Sequence, residues 1–507
     1  MKRFLVTLSL AFACMAQAED SAGRLARILA EKGILTNDEL ANIERAGADE
    51  AVRLLSAALY QKGILTQSEM ARVYGPAAGA PRDVRFAPGV ATTYVPAAAV
   101  ATAVVPTIPA SPPQTATSPS ARTTQIQELT TASHFPMQIY GTVLWNSFYN
   151  TGGSNIEDIP LVASKRGSDP YSNFGMTVRQ SRFGLRYQGG PEVWGAKLSG
   201  NVELDLLGGA APLANGVGMD LVRLRLAYGR MDWKNTSIEA GQDWTVFSPL
   251  NPISLASFAI PAMSTSGNPW IRSPQFRFEW HSDATQAARV LLQMAALDPT
   301  VGDNPTTVVD ARTPGIGERG RGPAVESRLA VTGKIGERDA TVGLSGHYGR
   351  GDNVGVLNGV TVARPVDSWG VNLDYTLPVS KYFTLAGEAF SGRGLGLFSV
   401  ASGQSVLAVG TPGEHGVLAS GGWAQAQFNL NRKWQMNLAY GLESDEGSNL
   451  ITGSRGKNQT YMTNLMYKVS PHFTWAWEWR RLMTNYQNQQ SLNAIIQTAN
   501  MAIAYVF

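Results

Sequence analysis

Cysteine is nearly absent: the chain of 507 residues holds one, Cys14, inside a stretch with the pattern of a removable leader. Without a second thiol there is no internal disulfide and no cysteine-ligated metal centre. Charge is sparse too. Asp, Glu, Lys and Arg make up 16% of residues and the net charge is +3, which gives no basic surface of the kind nucleic acid requires. Long apolar runs are missing. The best, residues 97–105, is enclosed by Pro96 and Pro106 and falls well short of the roughly 18–20 residues a spanning helix needs. The five histidines, His134, His281, His347, His415 and His472, form no H-E-x-x-H, and no G-x-S-x-G elbow occurs. The G-x-G-x-x-G match at Gly315, Gly317 and Gly320 lies in a loop without strand–helix context. The sequence therefore reads as a non-enzyme without a cofactor or a metal.

What is present is ordered along the chain in four parts. Residues 1–18 combine Lys2 and Arg3, a short apolar core and an A-x-A site at Ala16–Ala18, the pattern of a secretory signal peptide. Within residues 19–75 two segments repeat, 28–44 and 58–74, each reading helix, Gly, Ile-Leu, Thr, helix. Gly33 and Gly63 suit helix stops, and Thr36 with Glu39 and Thr66 with Glu69 spell capping boxes. These helical hairpins either pack on themselves or make contact with a second copy or the cell wall. Residues 76–136 are rich in Pro, Ala and Thr and read as a semi-rigid tether.

From residue 137 to 507 the pattern changes to runs of about ten residues alternating apolar and polar, separated in turn by short and long links. Trp369, Val371, Leu373 and Tyr375 share one side of a run, Ser368, Asn372 and Asp374 the other. Phe473, Trp475, Trp477 and Trp479 oppose Thr474, Glu478 and Arg480. About sixteen such strands can be counted, with long links expected at 150–175, 208–219, 246–272, 298–324, 351–366, 396–416 and 446–458. One face is aromatic and aliphatic along almost every strand; in water it would aggregate. In a bilayer, only helices and closed barrels satisfy every backbone group. The reading is an all-β transmembrane barrel with a small helical N-terminal extension. Arg179, Arg230 and Arg481 fall on the apolar parity near strand ends, where contact with headgroups would relieve them.

Side-chain parity sends the remaining charges to the lumen. The pore-lining candidates are Arg182, Arg186, Lys197, Arg223, Arg225, Glu239, Asp243, Arg277, Glu279, Arg289 and Arg328, with Lys334, Glu203, Asp205, Glu388, Glu443 and Glu478 on the same side. An arginine ladder of Arg182, Arg223, Arg225 and Arg277 would guide anions such as carboxylates. In the alternative, these arginines pair with wall acids and hold the barrel together. The link at 246–272 is mildly apolar, rich in Pro and uncharged until Arg272. A solvent-exposed loop would be more polar, so Phe247, Pro249, Pro252, Phe258, Trp270 and Arg272 are expected in a segment folded into the lumen.

Several motifs together resemble Gram-negative porins, most nearly the DcaP-like and phosphate-selective O and P groups. They are the twice-used KGILT turn, RQSRFGLRYQGG at 179–190, and RLRLAYGRM with GQDWTVFSPL after it, both within 223–250. Phe507, Tyr505 and Ile503 are similar to the C-terminal signature of bacterial outer-membrane proteins, which the insertion machinery recognises. The resemblance implies an outer-membrane location, a constriction loop after the fifth strand and a homotrimer passing small, often anionic, solutes. The expected partners are outer-membrane lipid, lipopolysaccharide and those solutes. Lumen lysines are few, which speaks against phosphate selectivity and leaves carboxylate-type or general anions. The competing reading is a non-conducting structural or adhesive barrel anchored to the cell wall.

Overall fold

The computed structural model describes residues 18–31, 34–46, 48–62, 129–130, 136–189, 192–211, 219–283, 288–299, 314–399, 403–412, 416–447 and 450–507. The leader through residue 17, nearly all of the tether and the second capping box lie outside them. The chain divides into two compact units, 1–101 and 102–507.

The first unit contains α1 (Ala18–Glu31), α2 (Asn37–Arg45) and α3 (Ala48–Gln61). The capping box expected at Thr36 is formed. Its backbone N–H donates to Glu39 Oε2 at 2.7 Å, and the Glu39 N–H donates to Thr36 Oγ1 at 3.3 Å, satisfying donors the helix start would leave open. The apolar stripes meet in one cluster around Leu29, Leu35, Ile43, Leu55 and Leu59. None of the described helices is long and apolar enough to cross a membrane.

The second unit is a closed antiparallel barrel of sixteen strands. They are β1 (Pro136–Asn150), β2 in two pieces (Asn173–Thr177 and Arg182–Gln188), β3 (Lys197–Asp205), β4 (Arg223–Asp232), β5 (Thr236–Trp244), β6 (Arg272–His281), β7 (Arg289–Leu297) and β8 (Ala324–Ile335). The circuit continues with β9 (Arg338–Leu357), β10 (Val360–Leu377), β11 (Phe383–Arg393), β12 (Leu418–Asn429), β13 (Trp434–Glu446), β14 (Arg455–Ser470), β15 (Phe473–Tyr486) and β16 (Ala494–Val506). Each pairs with its sequence neighbour, and β16 closes on β1 from Thr142↔Val506 to Asn150↔Thr498. The last residue is sewn in as well: Phe507 and Gly141 exchange both backbone hydrogen bonds at 3.1 Å. A Cβ on Gly141 would come within 2.4 Å of the Phe507 ring, so the seam requires glycine there. A short extra strand, Leu129–Thr130, pairs with the start of β1.

The two faces separate as the period of two demands. Val371 is 51% exposed on the outer face, while its neighbour Asn372 is 1% exposed inside. Trp475, Trp477 and Trp479 point outward along β15, and Glu478 and Arg480 point in. An apolar outer wall around a polar interior is the barrel solution to a bilayer.

Three expectations fail locally. The long link at 351–366 does not exist: β9 and β10 extend through it and turn at Asn358-Gly359, both with positive φ (51° and 78°), the geometry an Asn-Gly hairpin supplies. Arg230 does not face lipid. The β3–β4 ladder carries a bulge, with the register shifting between Glu203 and Leu204 opposite Arg225, and this extra residue exchanges the faces of the later β4 residues. Arg230 thus reaches Asp232, Glu239 and Glu279 inside the barrel. Arg179 sits in the break between the two pieces of β2, where its Nε donates to Asp158 at 2.7 Å.

Candidate functional site: the barrel lumen and its inner loop

Residues 245–271, between β5 and β6, fold into the barrel. Val246, Phe247, Leu250, Leu255, Met263 and Trp270 are buried, as are Pro249 and Pro252. Because the segment carries no charge of its own, its backbone groups need partners, and the wall supplies them. The Phe247 N–H donates to Glu326 at 3.0 Å. Ser248 Oγ and the Leu250 N–H donate to Glu388 at 2.6 and 2.7 Å. Further along, the Phe258 and Ala259 N–H groups share Gln180 Oε1 at 2.8 and 3.1 Å, and Ser254 Oγ donates to Glu478 at 2.7 Å. The far end is held by Asn458, whose Nδ2 donates to the Thr265 carbonyl at 3.1 Å. Gly267, at φ 101°, lies so close to the wall that a Cβ would sit 2.1 Å from the Gly422 carbonyl oxygen. The loop is fastened to the wall all along its length.

Two charge networks lie beside it. In the first, Arg223 grips Asp205 with two hydrogen bonds (3.0 and 2.6 Å), and Arg225 bridges Glu203 (2.6 Å) and Asp205 (3.0 Å). Both arginines also donate to the Ala259 carbonyl at 3.0 Å, and Arg182 donates to the Phe258 carbonyl at 2.6 Å while remaining 3.8 Å from Glu203. Arg272 completes the group. Arg182, Arg223 and Arg225 thus share two carboxylates, and Arg272, within electrostatic reach of all three arginines and of Asp205 but paired with neither acid, brings the excess to two positive charges at the level of the loop. In the second network, toward the short-turn end, Arg230 and Arg277 face Asp232, Glu239, Asp243 and Glu279, an excess of two negative charges.

The other lumen candidates are dispersed around the wall. Arg328 is locked to Asp374 by two hydrogen bonds of 2.8 and 2.7 Å. Arg289 and Lys334 pair with Asp339 at the turn between β8 and β9. Arg186 is exposed and stacks 5.0 Å from the Tyr140 ring, and Lys197 is exposed at the start of β3. Arg182, Arg223, Arg225 and Arg272 are brought together; Arg277 belongs to the acidic network, and Arg289, Arg328 and Lys197 stand apart from both. Sequence reading missed two further infolded segments. Ile159, Leu161 and Ala163 between β1 and β2, and Leu395, Leu397 and Phe398 between β11 and β12, are buried against the inner wall and the root of the inner loop. The apolar run GLGLFSV at 394–400 is the signal that could have found the second.

A sixteen-stranded barrel with an apolar outer wall, a charged interior and an infolded loop after β5 defines an outer-membrane β-barrel of the porin fold. Among solved structures it is similar to the outer membrane channel DcaP of Acinetobacter baumannii, with TM-score 0.59 and 16% identity over 75% of this chain and 99% of that one. A second match is the anion-selective porin from Comamonas acidovorans (TM-score 0.44, 14% identity, 73% and 99% covered). No protein-family model and no curated protein sequence matches the chain.

Proposed function

We propose that the chain is a passive outer-membrane pore for small hydrophilic solutes with a preference for anions. The observation that carries this reading is the uncompensated positive charge of the Arg182–Arg223–Arg225–Arg272 group at the level where the inner loop narrows the lumen. In a narrow water-filled passage with low-dielectric walls, a small excess of fixed charge decides which ion sign enters. The wall acids take up much of the arginine ladder, so the preference is modest, for carboxylates and halides alike, and not a phosphate trap.

On this reading residues 1–18 are removed on export, the helical unit lies in the periplasm, and residues 76–136 tether it to the barrel. The barrel works as a homotrimer in lipid and lipopolysaccharide. The exposed aromatic and aliphatic outer face, 37% exposed at Trp477 and 51% at Val371, supports burial in the membrane. Purified protein in a planar bilayer under a potassium chloride gradient is the test. Stable conductance steps with a reversal potential toward chloride are expected. Silent insertion would favour the structural barrel, and a reversal potential toward potassium would remove the anion preference.

A further inference from the structure

Beside the inner loop lies a small space that neither charge network lines. It is a cavity of about 40 Å³, bounded by Trp244 at the end of β5, by Met466 of β14 on the opposite side of the barrel, and by Asn251, Ile253, Leu255 and Phe258 of the loop, with two prolines and two serines of the loop completing it. Side chains from opposite walls reach it, so it lies across the lumen and not within the wall. Among the described residues none that lines it carries a charge. Trp244, Asn251, Ile253 and Phe258 keep part of their surface open to solvent, while Leu255 and Met466 are buried.

The lining is held in place through its backbone. The Ile253 N–H donates to Gln425 Oε1 at 2.9 Å, and its carbonyl accepts from Gln425 and Asn464 at 3.1 and 2.9 Å. The Phe258 N–H donates to Gln180 at 2.8 Å. None of these bonds uses the side chain of Ile253 or Phe258. Asn251 is oriented by its neighbour: Asn268 Nδ2 donates to the Ala262 carbonyl at 3.2 Å and to Asn251 Oδ1 at 3.0 Å. Asn251 Nδ2 is thereby left as a donor without an acceptor among the described residues, in a side chain that is half-buried.

A space of this volume has room for about three groups the size of a water molecule. A methyl group entering it leaves water for an apolar surface, and an oxygen beside that methyl gains the unused amide donor. Because the walls are already fixed, little ordering is needed on binding.

We propose that this cavity is a subsite of the passage for a neutral, acetyl-sized group. The methyl rests on Ile253, Leu255, Phe258 and Met466, and the carbonyl oxygen accepts from Asn251 Nδ2. The solutes it selects are small hydrophilic molecules that carry an acetyl or acetamido group, held in transit by contact and not by charge. The inference rests on the pore reading and adds to it a binding step that is indifferent to ion sign and saturates.

The test records single-channel current in potassium chloride with N-acetylglucosamine or glucose added, neutral sugars that differ by the acetamido group. In wild type, N-acetylglucosamine should reduce the current with a saturating concentration dependence, and glucose should not. N251D keeps the oxygen that Asn268 holds and removes the free donor. I253T places a hydroxyl on the apolar wall and leaves the backbone bonds intact. Each should weaken the apparent affinity for N-acetylglucosamine by about three-fold or more. I260T, on the same loop and outside the cavity, should respond as wild type. If N251D fails to insert, I253T alone carries the test. A conducting wild type with the same response to both sugars would show a cavity that holds water only; it overturns the inference and leaves the pore reading standing. Wild-type affinity in N251D and I253T, or an equal loss in I260T, also overturns it. A wild type that never conducts overturns both.

Discussion

Arg225 is 1% exposed and holds Glu203, Asp205 and the loop carbonyl of Ala259 at once. Removing Arg225 takes from buried Glu203 its closest cation and leaves Asp205 to Arg223 alone, at a cost of up to about 3–5 kcal/mol. R225A should therefore lower the denaturation midpoint of the folded barrel, read as loss of heat-resistant mobility in detergent. A wild-type midpoint would show that the network is dispensable. Glu388 is a second such residue, accepting from Ser248 Oγ and the Leu250 N–H under the root of the loop. E388A leaves a buried N–H without its acceptor, about 1–3 kcal/mol, and should raise open-channel current noise as the root loosens. At this scale the charged lumen was legible, because alternation assigns each side chain a face. Arg230 was not, since nothing in RLRLAYGRM marks Arg225 as a bulge. Nor were Gln180 and Asn458, neutral amides whose importance comes from which loop carbonyls and N–H groups reach them.

Among the elements, the inner loop is the one whose sequence announced its place: apolar, proline-bearing and uncharged, it could not stay in water. Its attachment points required the structure. Ser266 Oγ and Thr460 Oγ1 stand 2.8 Å apart, so the pair S266C and T460C should oxidise to a disulfide that pins the loop to β14. With so many native fastenings the cross-link should leave conductance unchanged, and a drop reversed by reductant would show that the loop swings during passage. The helical unit offers a pH test. Partial burial pushes the Glu39 pKa up, but the Thr36 N–H, the Lys62 ammonium and the Thr36 hydroxyl outweigh it and hold the carboxyl below its ordinary 4.5. A depressed carboxylate contributes stability that is present above the unfolded value and lost as pH falls through the folded one. Hydrogen exchange in α2 should accelerate as pH drops below about 4.5 relative to the intrinsic rate, and E39Q should abolish that extra acceleration. An identical response in E39Q would show that the capping box does not govern it.

For the whole molecule, the strand count and the lipid-facing wall were readable from periodicity alone. Every residue of such a barrel obeys the same two-sided solvent, lipid outside and water within. Exceptions arose where the ladder departs from regularity: the Arg225 bulge, the broken β2, and the long β9–β10 hairpin, whose Asn358-Gly359 turn was hidden inside what looked like a loop. Sidedness is the claim on which the pore depends. A charge placed on the outer wall should cost about 2–4 kcal/mol at mid-membrane, so V371R should insert poorly. The most direct measurement is single-cysteine labelling in reconstituted vesicles at Val371 and at Arg186. A fluorophore at V371C should be quenched by brominated acyl chains and ignore aqueous iodide. One at R186C should respond to iodide and not to bromolipid. The reverse pattern, or iodide access at both positions, would contradict the assignment of the two faces.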